Sequence, residues 1–353
     1  MDRLKMRLNS LVEICNRLEE EKYVVRKSQD RVRNVPLLLN HKRFGAAGLE
    51  HTKDHAQCVL LNVSGKKVSS ASFPLDPECG GEARLTRLME ILHDFIALQR
   101  GIEVIAIGFA DIGIVNSETG TGVYSVHVPD WENVPVKQRL MEEFGLFCRV
   151  MDRSGASALD QLRMNPDSEE VRNSLQIFVW NGIGASILQN GRYWGADTPS
   201  SCQLGHTIAV PDGELCSCGS RGCVETLATL PAILRRVRTL TKGRIADEET
   251  FFRKAAEGDR FCELALRGAG NALGVAIANA VTFTAITNVI VRSAICKASP
   301  VFFESICESV KKNVIYPFSR RVKVTQSRPG EDSSALGAAY YAQNEYFSVG
   351  RSG

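Results

Sequence analysis

The sequence has no uninterrupted apolar run of the ~18 residues that a membrane-spanning helix needs. Its best stretch, Gly270 to Val291, carries several Asn and Thr and reads as a buried helix followed by a strand. The opening pattern of a secretory signal peptide is also missing, because charges alternate with single apolar residues from the first turn onward. No short-period repeat is visible, which leaves out solenoids and propellers. Nor is apolar content low: hydrophobic residues make up 44% of the 353 and charged ones 24%, the balance of a folded chain rather than a disordered one. At ~100–200 residues per domain, the length fits two domains or three small ones. These absences predict a globular, cytoplasmic protein with no membrane partner.

Cysteine is plentiful instead. Eleven residues is an odd count on a chain without a signal pattern, so reduced thiols are expected and any close cluster becomes a metal candidate. The net charge of +3 conceals an asymmetry, since residues 1–43 hold eleven Lys or Arg against six acids. A basic segment ahead of a near-neutral body fits an anionic partner, and equally a solvated charged helix.

Leu4, Leu8, Leu11, Val12, Cys15 and Leu18 recur at helical spacing, and Ser10 with Glu13 three residues on forms a candidate capping box. A helix is therefore expected over Ser10–Val25, followed by a hairpin, Tyr23–Leu39, around the basic turn Ser28–Asn34. Helix plus basic hairpin is how a winged helix ends. A complete one needs two more helices in front, so residues 1–40 read as a truncated winged-helix head. From Phe44 onward, strands alternate with helices. That pattern predicts an α/β protein with two sheet-centred lobes, 41–153 and 154–333, and a closing helix at 334–345 returning to the first lobe. Trp131 and Trp194 read as packing residues. His51, Asp54 and His55 have a ligand-like spacing only if that segment is helical.

The strongest chemical signal is His206, Cys216, Cys218 and Cys223, spaced H-x9-C-x-C-x4-C with Gly219 and Gly222 between. Three thiolates and one imidazole suit tetrahedral Zn²⁺, and the glycines let the backbone fold tightly around a small ion. Four protein ligands leave no open position, so such a site is structural.

Gly205-His206, followed by Cys216-Ser-Cys218-Gly219-Ser-Arg-Gly222-Cys223-Val-Glu225, resembles the signature of the ROK family (repressors, open reading frames, sugar kinases). Val128-Pro-Asp-Trp131-Glu-Asn-Val-Pro135, Gly182-Ile-Gly184-Ala and Leu336-Gly337-Ala-Ala resemble further stretches of the same family. The resemblance runs from about Pro36 to the end of the chain. It implies a two-lobed, actin-like (ribonuclease H-like) fold with a cleft for sugar and, in the kinases, ATP.

The resemblance also exposes departures. The family's kinases place an Asn-Asp pair after a strand, and the Asp is the catalytic base. Here Asp152 takes the Asn place and Arg153 the base's place, and Arg cannot accept a proton. A one-residue shift would make Asp152 the base, but Ala-x-Ala-Leu at 156–159 fixes the register against it. The first phosphate loop of the kinases, Asp followed by Gly-Gly-Thr, corresponds to Glu50-His51-Thr52-Lys53-Asp54, without glycine for close approach to phosphate. Gly182 and Gly184 remain, though a strand-to-strand turn explains them, and Arg292-Ser293 replace the adenosine-side glycines. Two family Glu residues that hold sugar hydroxyls correspond to Gln203 and Glu225, with His206 able to turn its second nitrogen to the cleft. The ligand set the resemblance implies is thus Asp152, Arg153, Gln203, His206 and Glu225. Arg153 would suit an acidic or phosphorylated sugar, or would fill the cleft by pairing with Asp152. A closed cleft without ligand stays open as well.

Three functions compete. In the repressor branch of the family a winged-helix head precedes the body, which implies a sugar-responsive regulator without catalytic residues. Asn9, Ser10 and Asn16 would then reach base edges, while Arg17, Lys22, Arg26, Lys27, Arg31 and Arg33 would contact operator phosphates. An active sugar kinase is the alternative, and a non-catalytic body acting through protein contacts is the third. Family resemblance implies a homodimer or homotetramer.

Overall fold

A computed structural model describes residues 7–27, 36–198, 202–327, 330 and 332–349. The head begins with α1 (Leu8–Glu20), which starts after Arg7 and has no side-chain cap. Ser10 therefore lies inside the first turn rather than capping it, and the helix stops before Val25. Lys22 adopts a left-handed φ of 59°, which turns the chain into β1 (Val24–Arg26). This strand pairs antiparallel with β2 (Leu37–Leu39), Val24 opposite Leu39. Arg31 and Arg33 lie outside the described residues. Tyr23 stacks on Phe44 at 4.6 Å and Arg43 donates to the Glu21 carbonyl at 2.7 Å, so the head is seated on the body.

The first large sheet starts with a meander of β3 (Phe44–His51), β4 (His55–Asn62) and β5 (Lys67–Pro74), followed by α2 (Gly81–Ala97) and β6 (Glu103–Asp111). A small antiparallel sheet, β7 (Ile114–Asn116), β8 (Thr121–Tyr124) and β9 (Glu132–Val134), then precedes α3 (Val136–Phe144) and β10 (Phe147–Asp152). Strand order is β10-β6-β3-β4-β5, with β6 parallel to both β3 and β10. Parallel strands are covered on both faces. On one face α2 buries Leu85, Leu88 and Leu92, each burial worth ~1.5–3 kcal/mol.

The chain crosses to the second half through α4 (Arg153–Met164) and α5 (Glu169–Arg172). There β11 (Ser174–Val179), β12 (Ile183–Gln189) and β13 (Arg192–Tyr193) lead to α6 (Glu225–Ala228), α7 (Leu230–Leu240), α8 (Glu248–Ala256) and α9 (Arg260–Thr284). After β14 (Asn288–Ser293), α10 (Pro300–Asn313) and β15 (Lys323–Ser327), the chain closes with α11 (Ser333–Val349). The second sheet runs β13-β12-β11-β14-β15. Helix α9 is long and apolar enough to cross a membrane, but Leu266, Leu273, Ile277 and Val281 are buried in a core shared with Phe302 and Ile306 of α10.

Helix α11 returns to the first sheet and covers the face opposite α2. Its approach requires missing side chains. A Cβ at Gly48 would lie 2.0 Å from the Ala335 carbonyl oxygen, and one at Gly337 would lie 1.6 Å from that of Ala156. Helices α4 and α11 thus touch backbone to backbone, between the two sheets. Strand β3 runs through Glu50 and His51, so these two residues are strand and not loop. The turn to β4 is only Thr52 to Asp54.

Candidate functional site: a thiol cluster beside an interlobe cleft

Short bridges, Ile208 to Cys223 and Leu215 to Arg221, fold the cysteine segment back on itself. Gly222 has φ 73° and its Cα faces the Val210 carbonyl so closely that a Cβ would lie 1.7 Å away. This turn brings His206, Cys216, Cys218 and Cys223 together, with their ligand atoms within 4.8 Å of one another. Cys218 Sγ is 3.7 Å from Cys223 Sγ, and Cys216 Sγ is 3.6 Å from His206 Nδ1. Bonds of ~2.3 Å to sulfur in a tetrahedron give an edge of about 3.75 Å. The cluster could therefore hold a four-coordinate metal ion with little movement. Burial and the neighbouring Cys218 and Cys216 push the Cys223 thiol up to about 12, a crowding that a cation reverses by favouring thiolate.

Beside the cluster, a cleft of about 930 Å³ opens between the sheets. Asp152, Arg153, Gln203, His206 and Glu225 all line it, so the structure brings the five expected ligand residues into one cavity. His206 turns Nδ1 toward the thiols, leaving Nε2 3.9 Å from Glu225 Oε2. The other Glu225 oxygen accepts from the Ile183 backbone N–H at 2.6 Å, which aims the carboxylate into the cleft. A Cβ at Gly182 would meet this oxygen at 3.1 Å and His127 Nε2 at 3.8 Å; one at Gly184 would meet Ser154 Oγ at 1.9 Å. Both glycines thus have a packing reason.

The expected pairing of Arg153 with Asp152 does not form. Asp152 caps α4 by accepting from the Gly155 N–H at 2.9 Å, and Tyr193 donates its hydroxyl to the other oxygen. Burial raises the Asp152 pKa above the usual carboxylate range. Arg153 instead donates from Nη2 to Glu50 Oε1 at 3.1 Å, and the other Glu50 oxygen accepts from the Ala335 N–H of α11 at 3.2 Å. Glu50 is 2% exposed, so the ion pair neutralises an otherwise stranded charge.

Sequence reasoning missed three features. His127 lines the cleft; burial holds its imidazole below the usual range, helped by Arg153, His206 and Lys53 and opposed by Glu225. Arg292 is 4% exposed and donates to the Ser157 carbonyl at 2.6 Å and to Ser333 Oγ at 3.0 Å. Third, His51 is wholly buried, 3.1 Å from Asp111 and 3.3 Å from Arg84 Nε. Arg84 also donates to the Thr52 and Lys53 carbonyls, so it fixes the turn that takes the place of a phosphate loop. His51 faces away from His55, whose Nδ1 bonds Thr52 and Asp54. Trp131 is a packing residue, buried and donating to Asp111 at 3.0 Å. Trp194 is not: it is 52% exposed.

In the head, Asn9, Ser10, Asn16, Arg17, Lys22, Arg26 and Lys27 are all exposed. Arg26 is held by Glu19 at 2.8 Å and Arg17 lies 3.9 Å from Glu21. These exposed pairs are weak enough to yield to a phosphate.

The sequence profile described as "ROK family" matches residues 46–345. The chain is 27% identical over 316 residues to the DNA-binding transcriptional dual regulator NagC of Escherichia coli K12, an alignment covering 87% of this chain and 77% of that one. It is 26% identical over 293 residues to a glucokinase of Thermotoga maritima, covering 79% and 91%. Among solved structures, a ROK family transcriptional regulator described as a homologue of the E. coli Mlc protein superposes with a TM-score of 0.83 at 21% identity, over 97% of this chain and 90% of that one.

Proposed function

Because the chain belongs to the ROK family, we propose that it is a sugar-responsive transcriptional repressor whose kinase site no longer works. One observation carries this reading. By the family resemblance the place of the catalytic base falls to Arg153, a side chain type that cannot accept a proton and that is ion-paired here to a buried Glu50. Phosphoryl transfer needs a group that accepts the sugar hydroxyl proton and backbone that can cradle phosphates. Asp152, the neighbouring carboxylate, is engaged by the α4 backbone and Tyr193. On the nucleotide side, the Arg292 side chain fills space that a glycine would leave open.

In this reading the cleft serves as an effector pocket, with Gln203, Glu225 and His206 taking sugar hydroxyls. The thiol cluster would hold Zn²⁺ as a structural ion. Zinc would clamp the loop that carries His206 and orient its Nε2 toward Glu225, supplying rigidity and no chemistry on substrate. The head would contact an operator through Arg17, Lys22, Arg26 and Lys27, with Arg31 and Arg33, while Asn9, Ser10 and Asn16 reach base edges. A homodimer or homotetramer would present two heads to two half-sites, about one helical turn apart. Such a protein acts in the cytoplasm.

Two assays test the proposal. In the first, mobility shift with promoter fragments is expected to show retention that a sugar relieves. In the second, an ATP-coupled assay across hexoses is expected to show no turnover. Turnover that disappears in Asp152→Asn would instead favour the sugar-kinase reading.

A further inference from the structure

The geometry points to Cys218 and Cys223 as a peroxide-reactive dithiol, a modification site at the edge of the cleft whose oxidation to a disulfide unlocks the cleft wall. The reaction itself does not depend on what the cleft binds.

Accessibility singles out Cys218. Among the eleven cysteines it is the exposed one, and the others are buried or half-buried. It also lines the cleft, together with His206 and Glu225. A solitary exposed thiol has no second sulfur to hold its oxidation at a reversible stage. Cys218 has one, because Cys223 Sγ lies 3.7 Å from its own.

The segment lets one sulfur move while the other stays. Cys223 is fully buried, and its thiol donates to the His206 carbonyl at 3.5 Å. Its neighbours are tied into the body: the Gly222 carbonyl accepts from the Ala209 N–H, and the Val224 N–H donates to the Thr207 carbonyl. Cys218 sits on the outer turn, followed by Gly219, which has φ 90° and open space where a Cβ would lie. Closing the gap from 3.7 Å to the ~2.05 Å of a sulfur–sulfur bond is therefore a movement of the outer turn.

The chemistry balances with hydrogen peroxide as the oxidant. The Cys218 thiolate attacks one peroxide oxygen, the O–O bond breaks, and hydroxide leaves with a sulfenic acid formed on Cys218. The Cys223 thiolate then attacks that sulfur, the S–O bond breaks, and a second hydroxide leaves with the disulfide formed. Two thiolates lose two electrons and one peroxide gains them.

The consequence falls on the cleft, and this part rests on the zinc-clamp reading above. A disulfide sulfur no longer binds a metal as a thiolate does. The cluster would drop from four donors to Cys216 and His206, too few for a structural ion. The loop that carries His206 then loses its clamp, and Glu225, two residues beyond Cys223, lies on the same segment. In a reducing compartment such a bond is a transient state rather than a permanent staple.

Non-reducing peptide mapping of the full chain, after brief treatment with a few equivalents of hydrogen peroxide, tests this. The expected product is a Cys218–Cys223 cross-link, formed roughly tenfold faster than any other cysteine is oxidised and reversed by dithiothreitol. Hydrogen exchange read by mass spectrometry should rise over residues 204–226 in the oxidised protein and return on reduction. Zinc-loaded protein should release its metal in step with the cross-link. Cys202→Ser, which removes the other thiol lining the cleft, should cross-link like the wild type. Cys218→Ser should form no cross-link and leave Cys223 a thiol; because that variant also removes a cluster donor, the mapping of the wild type decides by itself.

Any of four results overturns the inference: a cross-link that joins other cysteines, Cys218 driven to the sulfinic acid with Cys223 left a thiol, oxidation of Cys218 no faster than of the rest, or unchanged exchange over 204–226 in cross-linked protein. Zinc retained by the cross-linked chain would overturn it too. Cross-link and raised exchange in a protein that carries no zinc would support the dithiol and remove the zinc clamp, so the two readings fail separately.

Discussion

Arg292 reaches Ser333 Oγ at 3.0 Å, joining the end of a strand in the second sheet to the first turn of the helix that covers the first. The same guanidinium holds the Ser157 carbonyl of α4, and Ser333 donates onward to Asp160 at 3.1 Å. Two sheets and two helices meet in one buried polar knot. Burial lowers the Arg292 pKa to about 10, a measure of what it costs to keep the charge there.

Removing this knot should be felt in stability. Arg292→Ala removes the guanidinium's bonds to the Ser157 carbonyl and to Ser333, whose hydroxyl still donates to Asp160, and opens a cavity over Phe178. A loss of about 2–4 kcal/mol is expected from the lost charge-assisted hydrogen bonds plus lost packing, read as a lower denaturant midpoint. A change within 0.5 kcal/mol, the range of ordinary surface substitutions, would mean the contacts contribute little.

The thiol cluster makes a second prediction. Purified protein should carry about one zinc per chain, and Cys218→Ser should lose it together with several degrees of Tm. Chelator should lower the Tm of the wild type toward that of the variant. A metal-free protein with unchanged Tm after chelator would remove zinc from the account.

Stability should also depend on pH through His51. Burial lowers its pKa, Arg84 and Arg153 add to the effect, and Asp111 opposes it. With a folded value below the unfolded one near 6.5, the unfolded chain takes up the proton first as pH falls. The stabilisation is thus complete above about pH 6.5 and declines below it. His127 shifts in the same direction. Denaturant midpoints measured from about pH 7.5 to 5.5 should therefore fall, and the slope should shrink in His51→Gln and again when His127→Gln is added. A slope identical in all three proteins would locate the acid sensitivity elsewhere.

For the head, affinity for DNA should come mostly from phosphate contacts, because the described helix and hairpin offer few base-reading groups. Retention should fall with salt at a log–log slope of about −0.9 per neutralised phosphate. Arg17→Ala with Lys22→Ala should reduce that slope by up to about two units. No retention of promoter fragments even at low salt would leave the head without a DNA-binding role.

Much of this architecture was legible in the chain itself. The alternation of strands and helices from Phe44 onward announced an α/β fold, because such patterns depend on neighbours a few residues apart. The cysteine cluster was legible for the same reason: its ligands sit within one short segment, and the soft donors and flanking glycines state the chemistry locally. The short strands β7 to β9 carried no such signal, being three or four residues each. The start of α1 was misplaced because a capping-type Ser fell within its first turn.

What the sequence could not state is who pairs with whom across the cleft. It determined that an arginine stands where a proton acceptor is expected, and it put Asp152 beside it. The tertiary structure alone decided that Arg153 turns to Glu50, 103 residues away, while Asp152 is consumed by its own helix and Tyr193. Likewise Arg292 meets Ser157 from 135 residues away and Ser333 from 41. Such choices follow from which oxygen is sealed from water and which donor can reach it, and that depends on α11 lying backbone to backbone on α4. Local patterning specifies the elements; the partner of a buried charge is fixed only once those elements exclude solvent around it.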